Sequence, residues 1–317
     1  MLHQLTIQNR SPAELRQLAV ERRELAASRA GSIKALLLKE AKLLEFQAEL
    51  RSWVELPEPS CQRDLDGGKR SMPHDLAPFL TKLSSRMALS RADQQALLAA
   101  ASGPRYIEKD ACLVEQGEES TALFILCNGM AHAVRSLSDG KQQIVAVFVA
   151  GDTLNAGGLL FRHARTSICA LTPVICLSVL FKHLDELLIS HPAIARALWL
   201  ETAAQAAIQQ EWMVWLGRRM AQTRLAHFLC EVSYRLELCG DSSREGFEFP
   251  LTQRELADTL ALSAVHVNRT LQILRSQGLI ELSRQRLTIR DKAGLYKAAE
   301  FDPRYLDGMK LIDPGAA

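Results

Sequence analysis

The stretch from Leu251 to Leu282, LTQRELADTLALSAVHVNRTLQILRSQGLIEL, dictates two short helices meeting at a tight turn. Thr252 stands where a hydroxyl accepts an early backbone N–H, and Glu255, three residues on, completes a capping box. Leu256, Ala257 and Leu260 recur on one face of this first helix. Ala261-Leu262 leads to Ser263, a second N-cap, and a new helix turns Val267, Leu271 and Leu274 inward. Gly278 is placed as the C′ glycine that ends it. Two caps, two apolar faces and a short joint form a helix-turn-helix, a motif whose second helix enters the major groove of DNA.

With those apolar positions inward, the opposite face of the second helix carries Ala264, Val265, His266, Asn268, Arg269 and Gln272. Arg269 has the planar fork that pairs bidentately with guanine; Asn268 suits adenine or a phosphate, Val265 a thymine methyl, and His266 a phosphate. Thr252, Gln253 and Ser263, at the two helix starts, complete the candidate contact set. The bland alternative is a solvated helix face; the caps and turn spacing argue against it. Beyond Gly278, Leu279-Ile280-Glu281 and Leu287-Thr288-Ile289 read as two short strands around Ser283-Arg284-Gln285-Arg286. Such a basic wing would hold the phosphate backbone through Arg284 and Arg286, adding affinity without sequence information.

Charge alone makes no case for nucleic acid. Across 317 residues, 38 Lys and Arg face 36 Asp and Glu, and hydrophobic residues make up 48% of the chain, enough for sizeable cores. From Arg218 to Asp291 eleven Arg face nine acidic residues, so the motif and not the charge sum points to DNA. The seven cysteines form an odd set with no CxxC, mostly inside apolar runs, which predicts buried reduced thiols and no zinc or iron–sulfur site. Without a membrane-length apolar run or a signal-peptide pattern, the expected location is the cytoplasm.

Upstream, residues 11–54 read as helix, opened by Ser11-Pro12-Ala13-Glu14 and divided near Gly31-Ser32. A linker fits Pro57 to Pro73. Then Gly117, Gly129, Gly140 and Gly151 recur every eleven or twelve residues. Between and after them, Leu123–Cys127, Ala131–Leu137, Ile144–Val149, Ser167–Leu171 and Val174–Leu180 have strand length and composition. Such even spacing predicts a small antiparallel barrel or jelly roll. A long helix follows, from His191-Pro192 to about Leu216. Its Ile194, Leu198, Ile208, Trp212 and Trp215 are spaced as a dimer seam, interrupted by Glu201 and Gln205.

The order of parts (barrel, long helix, winged helix-turn-helix) resembles the Crp/Fnr family of bacterial transcription regulators over roughly Leu76 to Leu306. LTQRELADTLALSAVHVNRTLQILRSQGLI is its most specific stretch, similar to a common subgroup of that family. Gly151-Asp152 and the Thr172-Pro173 turn also fit. The resemblance implies an α+β chain. Expected within it are a cyclic-nucleotide-binding-like β-barrel (76–190), a dimerisation helix (191–217) and a winged helix-turn-helix (218–291), with a C-terminal tail (292–317) after them; the helical extension and linker (1–75) lies outside the resemblance. The resemblance carries the family's later base-reading Arg over to Arg269. The family's early Arg and Glu are replaced by Ala264 and Val265, which implies a different half-site.

In the effector domain, cyclic-nucleotide binders of the family carry Gly-Glu after the Gly-Asp turn, and the Glu takes the ribose hydroxyl. Here that slot reads Asn155-Ala156, so cyclic AMP is not expected. Arg165-Thr166 matches the phosphate slot, making Asn155, Arg165 and Thr166 the candidate effector contacts. The family's oxygen sensors need an N-terminal cysteine cluster. Cys61 is the sole cysteine before Cys112, so no iron–sulfur cluster is expected. The effector itself stays unidentified.

The expectation is therefore a homodimeric, non-enzymatic regulator that reads a palindrome in double-stranded DNA and works with RNA polymerase. The alternative is an effector-binding or protein-interaction module without specific DNA binding. An enzyme on a cupin-like barrel would need converging metal ligands, and the spacing of His132, His163 and His183 provides no such motif.

Overall fold

The computed structural model describes residues 10–54, 77–239 and 246–306. The expected linker from Pro57 to Pro73, with Cys61, and the end of the expected tail lie outside them.

The chain begins with a helical hairpin. Ser11 caps α1 (Pro12–Ala27) in a capping box with Glu14, and Gly31, in the left-handed region at φ 64°, opens α2 (Gly31–Val54). Leu15 and Ala19 of α1 meet Leu44 and Ala48 of α2 in a small core of their own. Lys39 ties the hairpin to the next unit, pairing with Glu108 and stacking 3.5 Å above the Tyr106 ring.

Two helices that composition does not announce, α3 (Ala77–Arg86) and α4 (Arg91–Ala100), precede the barrel. Eight strands then form two facing sheets. They are β1 (Ser102–Ile107), β2 (Cys112–Val114), β3 (Ala122–Asn128), β4 (Met130–Ser136), β5 (Gln142–Val149), β6 (Thr153–Leu154), β7 (Ser167–Ala170) and β8 (Val174–Leu180). One sheet runs β1-β8-β3-β6 and the other β2-β7-β4-β5, every pairing antiparallel, as a jelly roll requires. Between the sheets Phe124, Leu126, Ala131, Ala133, Phe148 and Ile168 fill the interior. The recurring glycines are its turns. At Gly129, with φ 88°, an added Cβ would lie 2.6 Å from the Pro173 carbonyl, so the β3–β4 joint tolerates no side chain.

Beyond the barrel come α5 (Phe181–Ser190) and α6 (Pro192–Arg218), the long helix expected from Pro192 onward. Its expected dimer seam requires correction. Ile194 packs with α3–α5 and the β3–β8 sheet, and Ile208, Trp212 and Trp215 with the C-terminal half of the same chain. Leu198 packs at the edge of the former cluster. The period of a seam and that of an intramolecular face are the same, and here the intramolecular partner took these positions. The face left exposed carries Trp199, 67% exposed, and Met213, also 67%, with Ala203, Ala206 and Gln210 between them.

The last unit is α7 (Ala221–Leu238), β9 (Phe247–Glu248), α8 (Gln253–Leu260), α9 (Ala264–Ser276), β10 (Ile280–Ser283), β11 (Arg286–Ile289) and α10 (Lys292–Ala299). Its sheet runs β10-β11-β9. Where the sequence offered a tail after Asp291, Leu295, Ala299, Phe301 and Leu306 are buried in the same apolar cluster as α7. That cluster continues into the barrel: Ile144, Val147 and Val149 of β5 and Met130 of β4 join Trp212, Phe228, Leu256 and Leu271.

The cysteines also require correction. Cys127, Cys176 and Cys230 are buried thiols, as expected, but Cys112 and Cys169 form a disulfide. They are 57 residues apart in sequence, and only the β2–β7 pairing makes them direct neighbours. No described helix is long and apolar enough to cross a membrane.

Candidate DNA interface and effector cavity

The helix-turn-helix forms as its caps dictate. The Thr252 hydroxyl accepts the Glu255 N–H at 3.2 Å while the Glu255 carboxylate accepts the Thr252 N–H at 2.6 Å. α8 stops at Ala261, held in the left-handed region at φ 51°, and the Ser263 hydroxyl accepts the His266 N–H at 3.2 Å to start α9. Val267, Leu271 and Leu274 are buried and Gly278 is left-handed at φ 70°. Arg224, on α7, donates to the carbonyls of Leu216 and Arg219 at the end of α6 and of Leu260 at the end of α8. This one guanidinium therefore fixes the long helix against the motif, a role its sequence position does not signal.

The candidate contacts share one surface. Thr252, Gln253, Ser263, His266 and Arg269 are exposed and Asn268 is half-buried. Val265, 81% exposed, is an apolar side chain with no packing duty. Arg269 makes no hydrogen bond or ion pair with any described residue, so its fork is open to a ligand. The wing arginines differ from each other. Arg284 and Gln285, at φ 48° and 60°, form the tight turn, and Arg284 stands at the tip without a partner among the described residues. The Arg286 guanidinium donates to the Gly246 carbonyl at 2.7 Å, bracing β11 rather than reaching outward.

A cavity of about 410 Å³ opens between the barrel and α6. Asn155, Arg165 and Thr166 all line it. Asn155, in the left-handed region at φ 62°, is committed to the fold, since its amide donates to the Ala122 carbonyl at 3.0 Å. Arg165 lies at the mouth, its guanidinium 5.8 Å from the Phe161 ring. Ala156 also lines the cavity, and no acidic side chain is among the lining residues. Sequence reasoning missed the far wall: Thr202, Gln205 and Gln209 reach in from α6. Of the three histidines weighed for a barrel metal, His163 lines this cavity and His183 is exposed on α5. His132 lies on β4, and its burial holds its pKa below the ordinary value.

From Gln205 a polar chain leads out of the cavity. Its amide donates to Glu201 at 3.2 Å, and Glu201, 1% exposed, pairs with Lys82 at 2.6 Å and Arg86 at 2.8 Å, both of α3. Lys82 pairs also with Asp152, and Asp152 with Arg235 of α7. Arg235 donates to the Val147 carbonyl at 2.9 Å and pairs with Glu231, whose carboxylate accepts from Trp212 at 3.0 Å and from the Tyr305 hydroxyl at 3.1 Å. Lys82 and Arg235 hold the Asp152 carboxyl below the usual range against the desolvation that opposes them.

Residues 104–191 match the cyclic nucleotide-binding domain family, and residues 223–298 the Crp-like helix-turn-helix domain family. The nitrogen fixation regulation protein FixK of Azorhizobium caulinodans is 28% identical over 203 residues, covering 63% of this chain and 80% of that protein. The transcriptional activator protein FnrA of Stutzerimonas stutzeri is 24% identical over 68% of this chain and 88% of its own length. Among solved structures, FixK2 from Bradyrhizobium japonicum superposes with a TM-score of 0.56 at 25% identity, covering 62% of this chain and 96% of its own.

Proposed function

Since the chain belongs to the Crp/Fnr family of transcription regulators, we propose that this DNA-binding regulator works as a homodimer. In this reading it takes a palindromic operator through α9 and responds to a small molecule in the barrel cavity. The family is one of transcription factors, not enzymes. The observation that carries the reading is the open face of α9. An unpartnered Arg269 and an exposed Val265 sit beside Asn268 and His266 at the start of a doubly capped helix. Arg269 reads guanine; Thr252, Gln253, Ser263 and Arg284 hold phosphates, with Arg286 supporting the wing from behind.

Dimerisation follows from the exposed side of α6. Trp199, Ala203, Ala206, Gln210 and Met213 recur at steps of three and four, with small residues where two helices would approach closely. A two-fold axis along this seam would place two copies of α9 for two half-sites of a palindrome. The cavity suits a small, mainly apolar ligand with an anionic group facing Arg165; the missing carboxylate argues against cyclic AMP. RNA polymerase is the further partner this reading implies.

The test is selection of random duplex DNA by the purified protein at fixed salt, with Arg269→Ala alongside. An enriched palindrome that the variant reads less strictly is the expected result. Failure to enrich any sequence, with and without cell-extract small molecules, would favour a protein-interaction module.

A further inference from the structure

The disulfide does not sit at an arbitrary place. Cys112 lies on the edge strand β2, directly opposite Cys169 on β7. Alternation along β7 sends Ile168 and Ala170 into the barrel and Cys169 outward. β5 alternates likewise, with Phe148 inward and Val147 and Val149 outward. This outer face is covered by the DNA-binding half. Cys169 and Leu171 share one apolar cluster with Ile144, Val147, Phe228 and Leu256, and Cys112 packs at its edge. The same sheet grips α8 through a polar contact, since the Gln143 amide donates to the Asp258 and Thr259 carbonyls at 2.6 and 3.3 Å. One end of the bridge is enclosed in this contact, Cys169 being 8% exposed, while Cys112 is half-buried at the sheet edge, where a small reductant can reach it.

A protein that works on DNA shares its compartment with thiol reductants. Disulfides there are rare, and those that occur are mostly transient, catalytic or redox-sensing. We propose that Cys112 and Cys169 are a reversible thiol–disulfide site, reduced by a dithiol, whose state sets how firmly the DNA-binding half docks on the barrel. This inference rests on the DNA-binding reading for its consequence, not for its chemistry.

A thiolate of the dithiol attacks the Cys112 sulfur; the bond to Cys169 breaks, and Cys169 leaves as a thiolate and takes a proton. The reductant's second thiolate then attacks the mixed disulfide and closes its own ring, releasing Cys112, which takes the second proton. Two electrons and two protons pass to the cysteine pair, and the dithiol becomes a disulfide. Reduction removes the covalent tie between the edge strand β2 and β7 and leaves two separate thiols that must each be packed. Since Cys169 is enclosed in the cluster shared with α7 and α8, that repacking falls on the surface that meets them, and reduction loosens the docking. By linkage, whatever undocks the DNA-binding half also favours the reduced pair.

The full-length protein is equilibrated across a series of reduced and oxidised dithiothreitol mixtures. Differential alkylation with peptide mass spectrometry follows Cys112 and Cys169, hydrogen exchange follows β5 and α8, and binding to the selected operator is measured in the same buffers. Expected are a single two-electron transition at this pair, roughly tenfold faster exchange in α8 on reduction, and a parallel change in operator affinity. A Cys112→Ser, Cys169→Ser double variant should show the reduced behaviour in every buffer. The proposal falls if the pair stays unbridged throughout, if α8 exchanges equally in both states, or if the double variant responds to the buffers as the parent does. Should exchange respond while no DNA is bound in either state, the redox site stands and the DNA reading fails.

Discussion

Arg269 and Arg284 carry the same charge and should fail differently. Arg269, open on the face of α9, is placed for bidentate readout, so Arg269→Ala should cost about 1–3 kcal/mol on the selected operator and relax one base position per half-site. Arg284 sits at the wing tip, so Arg284→Ala should weaken binding to all sequences alike and lower the salt slope by about one. Fluorescence anisotropy on operator and scrambled duplexes across salt separates the two; equal losses on both duplexes for Arg269→Ala would remove its base-reading role. His227 makes a different prediction. It is enclosed by Arg219, the Ala299 carbonyl and the Tyr305 hydroxyl, and burial together with the Arg219 charge depresses its pKa to about 4 from an ordinary 6.5. Between those values the unfolded chain binds the extra proton. His227 therefore contributes its full stability above about pH 6.5, and loses it as pH falls toward 4. Urea midpoints measured over this range should fall with acid, and His227→Gln should flatten that limb by about one proton.

At the scale of elements, local chemistry was legible and partner choice was not. The N-caps Thr252 and Ser263, the stop at Gly278 and the glycines between strands act within a few residues, so α8, α9 and the strands β3, β4, β5, β7 and β8 could be located from sequence, while the two-residue β6 could not. The arginine fork and the cap hydroxyls were legible for the same reason, whereas Asn155, Arg165 and Thr166, which line the cavity, came from the family resemblance alone. The disulfide, the Arg224 anchor and the α6 wall of the cavity depend on residues tens of positions apart, which no window holds. α6 is the instructive failure. It is apolar on two faces, and periodicity cannot say which face meets its own chain. The seam proposed on the exposed face of α6 has a consequence. Met213→Glu should give a folded monomer, because Met213 is exposed, and operator affinity should fall about a hundredfold with loss of the second half-site contact. Light scattering after size exclusion measures the mass and circular dichroism the fold. A Met213→Glu protein that remains dimeric would place the seam elsewhere.

Across the whole molecule, the cavity and the DNA-binding half are joined by a largely buried polar chain. Gln205 faces the ligand space; Glu201, Lys82, Asp152 and Arg235 follow in contact, and Arg235 belongs to α7. Contiguity alone does not make a pathway; what matters is whether two arrangements of the chain differ in free energy. The cost of breaking it can be argued. Asp152, Glu201, Glu231 and Arg235 are all buried, and buried charges are tolerated only while paired. Arg235→Met keeps an unbranched apolar stem but removes the guanidinium, leaving Asp152 with Lys82 and the Val149 N–H and Glu231 with Trp212 and Tyr305. Removing one partner of such a set costs about 3–5 kcal/mol, and the part that comes from Asp152 and the Val147 carbonyl falls on the contact between units. The parent, whose apolar cluster runs through both units, should unfold in one urea transition reported alike by tryptophan fluorescence and circular dichroism. Arg235→Met should separate it, with Trp212 and Trp215, whose tilted rings lie 5.3 Å apart beside α7, reporting the earlier step. A single, merely earlier transition by both probes would mean that Arg235 stabilises the fold without governing how the DNA-binding half is held.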